Sequence, residues 1–371
     1  MTERPSQPRQ LFHAFSTFVV GGAQVRFATL ANRHGALFRH RVFAMDRQYA
    51  ARDLLDPGVD FTVAETAYEK GRLFHNFRTL RRALSQWRPD VLVTYNWGAI
   101  EWGLANLGRS CPHIHIVDGF GPEEADRQLP RRVLFRRFVL SRNTRVVVPS
   151  KNLLNIATGV WRLDPGTVRY IPNGIDCARF DIPRDAGLAT RIGLPNGALA
   201  IGTVAALRPE KNLERLLVAF RKLDGQTEAR LVIVGDGAER TALEAKAADL
   251  GIADRVIFTG YMSDPSGILS LLDIFAISSD TEQMPISVLE AMATGLPVAG
   301  VDVGDVRHIV SDANKDHIVP RDADRLAAVL SVLAGDSTLR RTIGNENRTH
   351  VRTVYDEATM VAAYASLFDD Q

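Results

Sequence analysis

The chain has 371 residues, 46% of them apolar, which excludes wholesale disorder and suits two packed domains better than one core. Its net charge of +2 hides an uneven spread: residues 1–172 hold 25 Lys and Arg against 14 Asp and Glu, and the remainder holds 20 against 29. Two cysteines, Cys111 and Cys177, exclude a disulfide scaffold, no apolar run is long enough for a bilayer span, and MTERPSQPRQ lacks an apolar leader, so a reducing cytoplasm is expected.

In the first half, β-branched runs predict strands at 11–16, 40–45, 61–65, 91–95, 113–118 and 145–149. Helical patterns fall between most of them, at 22–33, 73–87, 99–107 and 131–140. In the second half, strands are predicted at 200–206, 230–234, 256–259, 274–278 and 298–301, with helices at 213–223, 239–250, 286–293 and 325–333. This strand–helix–strand rhythm, met twice, predicts an α/β architecture of two Rossmann-like doubly wound domains facing across a cleft. The stretch 173–198, rich in Pro, Gly, Asn and Asp, reads as a linker between a domain at 1–172 and a second at 199–355. The final segment, 356–371, has Met360, Val361, Tyr364, Ala365 and Phe368 on one helical face, and is expected to cross back onto the first domain.

Ligands of open α/β sheets bind beyond the carboxyl ends of the strands, so the loops there carry the candidates. After the first strand, Gly21 and Gly22 open a helix whose amides can approach an anionic or hydroxylated ligand, although G-x-G-x-x-G is missing. After 113–118, Asp118 stands beside glycines; Glu123 and Glu124 read as solvated charges. His113 and His115 share one sheet face and read as structural, with no third metal ligand placed for them. Arg132 and Arg136, four apart among apolar residues, and a second basic helix over 70–88 read as amphipathic elements for an anionic membrane surface; nucleic acid is not expected.

In the second half, Arg208 and Lys211 follow a strand and suit a pyrophosphate. Gly235 in VGDG marks a close-approach turn, and Gly260 and Tyr261 leave room for a flat base. The stretch TEQMPISVLEAMATGLPVAG places Pro285 at the first position of a helix, whose free amides favour phosphate. Glu282 precedes that helix and Glu290 lies within it, each able to accept vicinal sugar hydroxyls.

The ordered blocks GGAQ, VPSKNL, IPNGID, LRPEKN, VGDG, FTGY and E-x7-E followed by AMATGLPV cover nearly the whole chain and resemble family 4 glycosyltransferases, retaining enzymes of the GT-B fold. The resemblance implies a hexosyltransferase that moves a hexose from a nucleoside-diphosphate sugar to a glycan or lipid-linked acceptor, in polysaccharide or lipopolysaccharide synthesis. The alternative reading is a nucleotide-sugar epimerase or hydrolase on the same fold. It implies an acceptor-binding first domain and a nucleotide-sugar-binding second domain, no metal cofactor, and a place in the cytoplasm or on the inner face of its membrane. In that scheme Glu282 holds donor-sugar hydroxyls, helped by amides near Met284; Glu290 holds ribose; Lys211 clamps pyrophosphate; and Gly22 lies near phosphate and acceptor. Three departures stand out. The family's usual arginine is Ala206, leaving Arg208 as its substitute; its frequent histidine is Asp118, a candidate for sugar contact or base; and its usual glycine is Pro285, which moves one amide contact to Ile286 or Ser287.

Overall fold

The computed structural model describes residues 8–69, 71–108, 110–120, 124, 127–223 and 228–370. The polar first seven residues and the 121–123 loop positions considered above lie outside that set. The chain divides into two compact units: residues 1–172 with 360–371, and residues 173–359.

Unit 1 holds a seven-stranded parallel sheet: β1 (Arg9–Phe15), β2 (Phe38–Ala44), β3 (Phe61–Val63), β4 (Val91–Tyr95), β5 (His113–Ile116), β6 (Thr144–Val148) and β7 (Val168–Tyr170), in the order β3-β2-β1-β4-β5-β6-β7. Its central strands are buried on both faces, which is why they read as unbroken apolar runs rather than alternating ones. Unit 2 holds a six-stranded sheet: β8 (Leu199–Val204), β9 (Ala229–Val234), β10 (Val256–Gly260), β11 (Ile274–Ile277), β12 (Val298–Val301) and β13 (Ile318–Val319), in the order β10-β9-β8-β11-β12-β13. The strand order reverses between β1 and β4 and between β8 and β11, the two places where a doubly wound sheet opens a crevice.

Most predicted elements lie within two residues of the observed ones; the differences have causes. The edge strands β7 and β13 are too short to leave a pattern. The 18-residue helix Ser337–Val354 escapes a periodicity reading because its buried stripe is only Ile343, Gly344, Asn347 and Val351. Asn347 belongs there because it donates to Leu296 O and Asn314 Oδ1 and accepts from Ser311, so a polar side chain does a core job. The stretch 173–198 is not a free linker. It contains the helix Ala186–Arg191, capped by Asp185, and sends Ile175, Cys177, Phe180 and Leu194 into the core of unit 2. The last helix, Glu357–Asp369, buries Met360, Tyr364, Leu367 and Phe368 against Leu11, Phe15 and Phe38 of unit 1.

Candidate active site

Unit 2 gathers its candidates at the carboxyl ends of its strands. After β8 the chain makes a turn, Pro209–Lys211, closed by Asn212 in the left-handed region (φ 41°). Asn212 caps the helix Leu213–Arg221 by accepting from Arg215 N at 3.1 Å. That turn delivers Lys211 to the loop after β11, where its Nζ donates to Glu282 Oε1 at 2.6 Å. Ser279 Oγ donates to the same oxygen at 2.7 Å, and Ser278 Oγ donates to Lys211 O at 3.2 Å. The pair is sheltered, with the side chains of Lys211 and Glu282 24% and 10% exposed. Two residues 71 apart in sequence, both named as candidates, therefore share one charge-assisted contact.

Three further residues fix this pair and were not singled out in the sequence. Arg215 donates to Asp280 Oδ1 and to Ser278 O, each at 2.7 Å, and Asn212 Nδ2 donates to Asp280 Oδ2 at 2.8 Å. The available signal was an Asn three residues before an Arg at a helix start. On the other side, Gly304 (φ +54°) follows β12, and a side chain there would fall on the Glu282 carbonyl. Only glycine lets these loops lie backbone to backbone, and Asp305 N then donates to Gln283 O at 2.9 Å.

The helix Ile286–Thr294 begins at the residue predicted from its apolar pattern. Pro285 is its N-cap in an extended conformation (ψ 117°) rather than its first residue, so the missing N–H is outside the helix. The amides of Ile286 and Ser287 meet no protein acceptor among the described residues, and they mark the positive end of the helix dipole. Met284 is buried; its Sδ accepts from Asn173 N and its carbonyl from Asn173 Nδ2. Glu290, one turn in, is largely buried and its carboxyl has no protein hydrogen bond among the described residues. Burial pushes its pKa up to about 7; Arg179 opposes the shift and Asp264 adds to it.

The remaining unit 2 candidates are more loosely placed. Arg208 is exposed, and among the described residues its side chain approaches the carboxylate of Glu210, at 4.0 Å, rather than that of Glu282. Gly235 N donates to Gly260 O at 2.9 Å, and a side chain at Gly235 would fall on Ala205 O. Its glycine is thus explained by packing of the turns after β8 and β9, without appeal to a ligand. Gly260 has open space above it, and Tyr261 is exposed beside it.

Unit 1 places Gly21 as the extended N-cap of the helix Gly22–His34, with the space over Gly22 open. Asp118 follows β5, its amide donating to Asn96 Oδ1 at 2.7 Å and its Oδ1 paired with buried Arg26. Arg26, from the helix after β1, was not singled out in the sequence. His113 and His115 both bond Thr94 Oγ1, at 2.8 and 2.7 Å, and His113 reaches Thr144; burial holds both pKa values low. His13 and His40 form a second buried pair, 3.1 Å apart.

Glu124 corrects the reading of a solvated charge. Its side chain is fully buried and bonds Arg136 through both oxygens, at 2.9 and 2.6 Å, and Arg132 at 3.0 Å. Burial pushes its pKa up, but these hydrogen bonds outweigh it and hold the carboxyl at about 2. The correction extends to the helix Pro130–Leu140: Arg132 and Arg136 face Glu124 and the rings of Trp97 and Trp161, not an outer surface. The exposed residues of that helix are Pro130, Arg131, Leu134, Arg137 and Phe138. At the same end of the sheet a cavity of about 800 Å³ is lined by Met45, Tyr68, Leu73, Trp97, Glu101 and Phe135, among others.

Comparisons with known proteins cover both units. The model described as Glycosyltransferase Family 4 matches residues 20–179, and the one described as Glycosyl transferases group 1 matches residues 190–350. A 2-deoxystreptamine N-acetyl-D-glucosaminyltransferase of Streptomyces fradiae is 26% identical over 68% of this chain; the chain spans 63% of its length. A D-inositol 3-phosphate glycosyltransferase of Salinispora arenicola is 30% identical over 74% of this chain and 70% of its own. Among solved structures, Anabaena Alr3699/HepE in complex with UDP superposes with a TM-score of 0.83, at 19% identity over 98% of this chain and 100% of that one. WaaG, a glycosyltransferase involved in lipopolysaccharide biosynthesis, gives 0.75 at 18% identity over 97% and 99%. At those identities the superpositions speak to the fold, which is GT-B, while the two matched models and the inositol-phosphate transferase speak to descent. The chain belongs to glycosyltransferase family 4, whose members are retaining enzymes.

Proposed function

We propose that the protein transfers a hexose from a nucleoside-diphosphate sugar to a glycan or glycolipid acceptor with retention of configuration. The observation that carries this reading is the Lys211–Glu282 contact beside the open amides of Ile286 and Ser287. A diphosphate entering here would meet the Lys211 ammonium and the helix N-terminus, which stabilise charge that develops as it leaves. Glu282 would then turn from Lys211 to the hydroxyls of the transferred sugar. Glu290, largely buried and without a protein donor among the described residues, suits the vicinal hydroxyls of ribose, and the open backbone at Gly260 with Tyr261 suits the base. Arg208 reaches the phosphates only if its exposed side chain moves. The cations of this scheme are Lys211 and the helix dipole, and no step calls on a metal.

Unit 1 is the acceptor side in this reading. Its 800 Å³ cavity, with aromatic walls and Glu101, fits a partly apolar acceptor. Phe74 and Leu134, 88% and 67% exposed, stand with Arg78, Arg131 and Arg137 on the two helices whose residues line it. That combination supports peripheral contact with an anionic membrane at its inner face, and a role in cell-surface polysaccharide or lipopolysaccharide synthesis. No helix among the described residues is long and apolar enough to cross a membrane.

Calorimetry with UDP, GDP, ADP and dTDP tests the donor site. One of them should bind the wild type, and Lys211→Ala should weaken it about tenfold or more. Equal binding by both proteins would remove Lys211 from the site, and no binding of any diphosphate would remove the reading.

A further inference from the structure

Asp118 follows β5 at the carboxyl edge of the unit 1 sheet, and the structure shows what holds it there. Its amide is fixed by Asn96, from the end of neighbouring β4. Its Oδ1 is fixed by Arg26, whose side chain is 5% exposed. Arg26 is held in turn: its guanidinium carbon lies 5.9 Å from the ring centroid of Tyr364, which is fully buried on the C-terminal helix. Burial alone would lower the Arg26 pKa, but Asp118 outweighs it and the guanidinium stays charged. Asp118 Oδ2 is buried and has no hydrogen-bond partner among the described residues. Leaving a buried acceptor unmet is unfavourable, and a donor from a ligand removes that cost.

We propose that Arg26 is a positioning residue for Asp118 and that Tyr364 holds Arg26, so that Asp118 presents Oδ2 as a fixed acceptor for a hydroxyl of the sugar ligand. An ionised carboxylate only accepts, so the ligand group it takes is a hydroxyl and not a phosphate oxygen. The guanidinium fork fixes the direction of the carboxylate as well as its charge. The aromatic face restrains the guanidinium without taking its hydrogen bonds from Asp118. The C-terminal helix thereby serves the site through a residue that never touches substrate. The inference rests on the transferase reading given above.

The test is a double-mutant cycle on release of nucleoside diphosphate from a panel of UDP-, GDP-, ADP- and dTDP-hexoses, with a panel of simple saccharides, or water in their absence, taking the hexose. Arg26→Met should lower kcat roughly tenfold or more while the KM for the nucleotide sugar changes less than about threefold. Arg26→Lys, which keeps the charge, should recover part of the loss. Tyr364→Leu should lose more than Tyr364→Phe, which keeps the ring. In an Asp118→Asn background, Arg26→Met should have little further effect, because the residue through which it acts has already been changed. Losses that add across the cycle, or that track only the folded fraction, would overturn the inference while leaving the transferase reading in place. If Arg26→Met does not fold, Arg26→Lys and Tyr364→Leu carry the same cycle. A folded wild type that binds none of UDP, GDP, ADP or dTDP in calorimetry would overturn both readings together.

Discussion

Replacing Glu290 with Gln keeps the shape of the side chain and removes its charge. In the folded protein burial raises this carboxyl from an ordinary 4.5 to about 7. The unfolded chain ionises near 4.5, so between pH 4.5 and 7 the unfolded state loses a proton that the folded state keeps. Stability therefore falls as pH rises through that window and levels off above 7. At roughly 1.4 kcal/mol per pH unit, the loss amounts to about 3 kcal/mol. Glu290→Gln removes this dependence, and at pH 8 the variant should be more stable than the wild type by a similar amount. All four tryptophans, Trp87, Trp97, Trp102 and Trp161, lie in unit 1, so their fluorescence does not report this site directly. Hydrogen exchange in the helix Ile286–Thr294, followed in urea from pH 4.5 to 8, does. Parallel stability curves for the two proteins would refute the burial argument. Ribose hydroxyls donating to Glu290 favour its charged form, so diphosphate binding near pH 6.5 should release protons. Calorimetry in buffers of different ionisation enthalpy measures that release, which Glu290→Gln should abolish.

Other outcomes follow from the same contacts. Burial holds His13, His40, His113 and His115 neutral, with lowered pKa values, so below pH 6.5 the unfolded chain takes up protons that the fold refuses. Unit 1 should lose up to about 1.4 kcal/mol per histidine per pH unit as pH falls. Tryptophan fluorescence should record this acid transition, and a signal unchanged down to pH 4 would contradict it. Glu124→Gln removes the charge that Arg136 and Arg132 both bond and should destabilise unit 1 by about 3–5 kcal/mol in urea melts, where a loss below about 1 kcal/mol would contradict the buried pairing. Binding to anionic vesicles should weaken at high salt and fall in Phe74→Ser and Leu134→Ser, whereas equal sedimentation with neutral vesicles would end the membrane proposal.

The fold was readable because strand and helix periods alternate cleanly through both halves, and strands buried on both faces read as apolar runs. The candidate site was readable only in part. Lys211, Glu282 and Glu290 could be named from the spacing and blocks around them, but their pairing could not. Arg215–Asp280 and Arg26–Asp118 are separated by 65 and 92 residues, and nothing local marks either arginine as paired. Glu124 shows the same limit at short range: it is 12 residues from Arg136, yet no sequence period links a loop to the inward face of the next helix. Pro285 was displaced by one residue because a proline before a helix and one at its first position look alike in sequence.

The central claim is that Glu282, released from Lys211 by the donor, supports hexose transfer. It is tested most directly by turnover of wild type and Glu282→Ala with the nucleotide sugar whose diphosphate binds tightest, read as diphosphate release. The account predicts a loss of at least about a hundredfold in kcat with diphosphate binding retained. Turnover within a few-fold of wild type would contradict it.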